Sequence, residues 1–107
     1  MADEPVYMLN ALWFKADGGA AKYAEYAAAA GPFVQRLGGE SMHAFRPVAA
    51  LQGEFDPDLM FFVRWPSFSA FEQLIADPGY QAISHLRDEA IERAVLTRCE
   101  PADMTLQ

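Results

Sequence analysis

A small set of side chains in this sequence could do chemistry: His43, Arg64, Tyr80, Arg87, Trp13 and Trp65. His43 falls in a strand-like run and could act as a general base near neutral pH; the plainer reading is an edge-strand histidine with no role. Arg64 interrupts the apolar face of Met60 and Phe62, where its fork could clamp a carboxylate or an enolate. It could equally pair with an acid across a dimer. Tyr80 follows a helix break at Asp77-Pro78, which can aim its hydroxyl into a cleft between helix and sheet. Arg87, seven residues on, shares that helix face, and either lines the same cleft or pairs with an acid such as Glu72. Trp13 and Trp65 could wall a flat ligand, or serve as core or interface packing. His85 reads as solvent-facing.

Other chemistries lack their residues. Only two histidines are present, far apart and without paired acidic neighbours, so no metal site is expected. Gly18-Gly19 and Gly38-Gly39 sit at helix ends and do not form a phosphate loop, so no cofactor is expected. No serine or cysteine stands in a nucleophile motif. The net charge of −7 argues against nucleic acid and against anionic lipid. The single cysteine, Cys99, reads as a packed thiol and cannot form an internal disulfide, which fits a reducing compartment. No run approaches a membrane span, and the acidic start is unlike a signal peptide. A cytoplasmic protein of one domain over residues 1–107 is expected, with a core of about 6–101 and a tail of 102–107. The hydrophobic share is 52%, with eight Phe, four Tyr and two Trp. That exceeds what one small core uses, and points to an oligomer interface, a cavity or both; a core that is merely aromatic is the alternative.

The elements that must position these residues follow from pattern. Val6 to Lys15 reads as a strand apolar on both faces, hence central, with Asn10 needing a partner if buried, a local hydrogen bond ahead of a ligand contact. Ala20 to Leu37 has helical spacing, with a kink expected at Pro32 and an end at Gly38-Gly39. Ser41 to Val48 is an edge strand, because Pro47 cannot donate to a ladder. His43 and Phe45 share one of its faces. A turn-rich loop, Leu51 to Pro57, leads to a central strand over Asp58 to Trp65. Ser67 or Ser69 caps the next helix, Ser69 with capping-box spacing to Glu72. Asp77 and Pro78 restart it, and helical spacing continues to Ala94. Val95 to Glu100 is a short fourth strand.

The order β-α-β-β-α-β with right-handed crossovers gives a ferredoxin-like α+β fold, both helices on one face of a four-stranded antiparallel sheet. The other face is then bare although its strands are apolar there. Two sheets facing each other in a homodimer would bury it, and the tail could be held by that second subunit.

Tyr23-x-x-Tyr26, Pro32, Gly38-Gly39, Trp65-Pro66-Ser67, Asp77-Pro-Gly-Tyr-Gln81 and Leu86-Arg87 occur in an order and spacing that resembles the DUF1330 family. These are small bacterial proteins of unknown function within the dimeric α/β-barrel group, and the resemblance runs from about Val6 to Pro101. It implies the same fold and a dimer, and no activity. Members usually carry a glutamate where this chain has Arg64, and often an arginine in line with Ala44. Here Arg46 lies two residues later on that face and is kept as a candidate ligand contact.

Three functional readings remain. One is a pocket binding a small aromatic or anionic molecule without turnover, contacted by Arg64, Tyr80, Arg87, Trp13, Trp65 and Arg46. One is a cofactor-independent enzyme, monooxygenase- or isomerase-like, with His43 as base. One is a structural dimer with no ligand. The missing glutamate favours binding.

Overall fold

In the computed structural model, which describes residues 4–104, the chain forms strand β1 (Val6–Phe14), helix α1 (Gly19–Arg36), strands β2 (Glu40–Phe45) and β3 (Leu59–Trp65), helices α2 (Phe68–Ala76), α3 (Pro78–Ile83) and α4 (His85–Ala90), and strand β4 (Ile91–Cys99). The sheet is open and antiparallel throughout, in the order β2-β3-β1-β4. β1 and β3 are central and β2 is an edge, as the two-sided apolar pattern and Pro47 require.

Strand alternation sorts the sheet into two faces. Val6, Met8, Asn10 and Leu12 are buried on the helix side of β1. They pair with Trp65, Val63, Phe61 and Leu59 on β3. Val6, Met8 and Trp65 join Tyr26 and Ala30 of α1, Ala70 and Leu74 of α2 and Tyr80 of α3 in the core. The opposite face carries Tyr7, Leu9 and Trp13 of β1 with Met60, Phe62 and Arg64 of β3, all half-buried with no helix over them.

Local signals explain the boundaries. α1 starts after Gly18, at φ 81°, and ends at Gly38, at φ 85°; both angles suit glycine. The helix runs through Pro32 to Arg36. The Ser67 hydroxyl, and not Ser69, caps α2 by accepting from the Ala70 N–H at 3.1 Å. Asp77 caps α3, its Oδ1 accepting from the Gly79 N–H at 2.7 Å, with Pro78 in the first turn. Asn10 donates to the Met8 carbonyl at 3.3 Å, the local partner that its burial demands.

Three boundaries differ from the sequence reading. The last helical stretch ends at Ala90 instead of Ala94, and β4 begins at Ile91. β1 is long enough to pair as far as Phe14, so its ladder takes Ile91 to Ala94 away from the helix. That stretch also breaks between Ile83 and His85. β2 stops at Phe45, short of Pro47. Pro101 to Met104 are exposed, and residues 105–107 of the expected tail contact lie outside the described residues.

Candidate functional site

A cleft of about 710 Å³ opens between the helix-side face of the sheet and the inner sides of α1, α2, α3 and α4. Its walls are apolar: Met8, Phe61, Val63, Trp65, Leu96, Val34, Phe71 and Leu74. Polar side chains interrupt them: Asn10 from β1, Tyr23 and Tyr26 from α1, Tyr80 from α3 and Arg87 from α4, with the exposed Gln35, Glu40 and Ser41 also lining the cleft. The volume falls within the range that small-molecule pockets span in general.

Each polar group is fixed by its element. Tyr23 and Tyr26 stand three residues apart on an alanine-rich helix, so both face the sheet, with ring centroids 5.4 Å apart. The Asp77-Pro78 restart sets the axis of α3 and delivers Tyr80 to the same place. The Tyr26 and Tyr80 hydroxyls share a hydrogen bond of 2.7 Å. Asn10 is 8% exposed and lines the cleft beside them.

The phenols are held neutral. Burial pushes Tyr23 up to about 12, against the pull of the nearby Arg87 charge. Burial, reinforced by the hydrogen bond shared with the Tyr80 hydroxyl, pushes Tyr26 up as well, again with Arg87 opposing. Arg87 is thus close enough to be felt by both rings. No carboxylate among the described residues lies within ion-pair distance of it, Glu72 included. Among the described residues this half-buried guanidinium beside neutral phenols has no carboxylate counter-ion.

The structure brings Tyr80, Arg87 and Trp65 together in the cleft, and disperses the other candidates. Trp13 lies on the opposite sheet face, its indole donating to Asp56 at 2.9 Å with the Arg93 guanidinium 4.3 Å over the ring. Arg46 lies near it, at a second hollow that both residues line with Phe55, Asp56 and Val95. Arg64 is also on the outer face, in register with Tyr7 and Glu40. His43 is exposed on the edge strand, its ring stacked on Phe45 at 6.5 Å. His85 is exposed and bonds Glu89 at 2.8 Å, holding that carboxylate below its usual range. Among the described residues no three metal-ligand side chains come together.

Tyr23 and Tyr26 are the residues that sequence reading passed over as site members. Their signal was present: two tyrosines one helical turn apart in an alanine-rich run. Nothing in the pattern said that the sheet opposite them stands off far enough to leave a cleft.

Comparison with known proteins places the chain. Among curated proteins none matches it. A crystal structure of the RPA0582 protein of unknown function from Rhodopseudomonas palustris is 30% identical and superposes with a TM-score of 0.85, over 94% of this chain and 85% of that one. A dimeric ferredoxin-like protein of unknown function from Jannaschia sp. CCS1 shares the fold at 14% identity and a TM-score of 0.73, over 91% of this chain and 99% of that one. The family model for the domain of unknown function DUF1330 matches residues 6–97, nearly the whole described chain. The chain therefore belongs to the DUF1330 family.

Proposed function

We propose that this chain is a binding protein for a small, largely apolar molecule with a polar or anionic end, held in the cleft between sheet and helices of a homodimer. The observation that carries this is the cleft itself: about 710 Å³, aromatic-walled, with Asn10, three tyrosines and Arg87 among its polar contacts. The enzymatic reading has less support. Among the described residues the cleft holds no histidine, aspartate, lysine or cysteine, and its one carboxylate, Glu40, is at the exposed rim. Phenols pushed upward donate hydrogen bonds and do not act as bases near neutral pH. His43, the sequence candidate for a base, is not among the residues that line the cleft.

Support for the dimer comes from the outer sheet face, where Leu9, Trp13, Met60 and Phe62 form an apolar surface with no helix over it. The Jannaschia neighbour is described as dimeric. No helix among the described residues is long and apolar enough to cross a membrane, and the acidic charge and single thiol fit a cytoplasmic site of action.

Native mass spectrometry of the protein as purified from cells tests both parts. The expected result is a species of about twice 11.9 kDa carrying a small extra mass. Leu96→Trp, which fills the mouth of the cleft, should lose that mass and keep the dimer. A monomer, or an extra mass unchanged in Leu96→Trp, would sink the corresponding half of the proposal.

A further inference from the structure

We infer that the ligand is a monocarboxylate with a flat apolar body, its carboxylate seated on Arg87 among the hydroxyls of Tyr23, Tyr26 and Tyr80. This rests on the reading of the cleft as a binding site, and adds the chemical class of what it binds.

Charge comes first. Arg87 is the one cation lining the cleft among the described residues, and no acid there neutralises it. A single negative charge on the ligand restores balance. A phosphate monoester would bring a second, uncompensated charge into a protein of net charge −7, with Glu40 already at the rim. An amine would set a second cation beside Arg87. A neutral molecule would leave the guanidinium half-buried and unpaired.

Hydrogen-bond supply points the same way. The three hydroxyls offer three O–H donors, and the Tyr26–Tyr80 bond consumes one. Two O–H donors and the planar guanidinium fork remain, which suits the two oxygens of a carboxylate. The features that usually seat phosphate are already engaged. The Ala70 N–H of α2 is taken by Ser67, and the Gly79 N–H of α3 by Asp77. Away from Arg87 the cleft offers Trp65, Phe71, Leu74 and Val63, a dry wall for a flat body.

The test is calorimetric titration of the intact protein with an isosteric series: cinnamate, cinnamamide, cinnamyl alcohol, cinnamylamine and phenyl phosphate. Cinnamate should bind at least tenfold more tightly than every other member. Arg87→Gln should reduce it to the level of cinnamamide, and Tyr80→Phe should weaken it several-fold. Amide, alcohol, amine or phosphate binding as well as cinnamate would overturn the carboxylate assignment while leaving the cleft a binding site. Binding of none of the series would count against both readings. Should Arg87→Gln fail to fold, the isostere ranking on the unaltered protein still decides.

Discussion

Tyr26 and Tyr80 hold each other's hydroxyls at 2.7 Å inside the core, so removing one strands the other. Tyr26→Phe is expected to cost about 1–2 kcal/mol in urea unfolding. The double change Tyr26→Phe with Tyr80→Phe should cost less than the sum of the single ones, since both members of the pair then go. The same burial gives the protein an alkaline limit. Burial holds the Tyr23 phenol up at about 12 in the fold, above the ordinary tyrosine value. The folded state keeps a proton that the unfolded chain releases. The resulting stability is complete below pH 10 and is lost as the pH rises through 12. Tyr26 acts in the same direction. The urea midpoint should therefore fall above pH 10, with tyrosinate absorbance growing in together with unfolding. A midpoint flat through that range would show these phenols to be solvated. At this scale Tyr80 and Arg87 were legible from their spacing, which survived the break at Ser84. Arg64 was not, because β3 is apolar on both faces and alternation alone does not say which of them the helices cover.

Helix starts show how closely elements follow local chemistry. Ser67 and Ser69 both look like caps in the sequence, and Ser69 has the better motif with Glu72. The chain uses Ser67 because Pro66 ends β3 immediately before it, and Ser67 takes up the extended cap conformation (φ −159°, ψ 163°). Ser67→Ala should cost about 1 kcal/mol in thermal or urea unfolding, and Ser69→Ala close to nothing. The last helix was read too long for a different reason. Ile91 and Ala94 keep helical spacing, yet β1 extends to Phe14 and needs a partner there, with a register shift at Trp13/Phe14. A long-range ladder overrode a local period. Gly39 is wedged between a side chain of α1 and one of β3: a Cβ there would sit 2.6 Å from Val34 Cγ1 and 3.0 Å from the Trp65 ring. Gly39→Ala is expected to destabilise by about 1–3 kcal/mol. It should also disturb the cleft, which both neighbours line.

On the scale of the whole molecule the chain is a slab, 46 × 39 × 18 Å, with a radius of gyration of 14.9 Å. A rounded domain of this length would have about 13 Å. The excess reflects one layer of helices on one side of the sheet, and a loop between β2 and β3 whose Val48 and Leu51 are 91% and 97% exposed. The topology was readable from the order of patterns, and so was the bare face, from apolar residues on both sides of β1 and β3. No helix among the described residues covers that face, and one sequence carries no signal for a covering partner beyond the surplus of apolar side chains. Phe62→Asp places a charge in the middle of the face. Sedimentation should then report a folded monomer in place of the proposed dimer, and a mass unchanged from the parent would move the interface elsewhere.

The strand order has a consequence in time. β1 is made first and lies between β3 and β4, the latter the last of the four strands to be made. Until Ile91–Cys99 emerges, one whole edge of an apolar strand has no neighbour, and the hairpin of β2 and β3 can satisfy only the other. A chain halted before Ile91 would present that edge to other chains as a template. Closing it is a contact between segments far apart in sequence, Tyr7 opposite Cys99, slow to find and late to form. The interval between synthesis of β3 and arrival of β4 is when this protein is most exposed to aggregation, and when a chaperone that masks strand edges would matter to its yield.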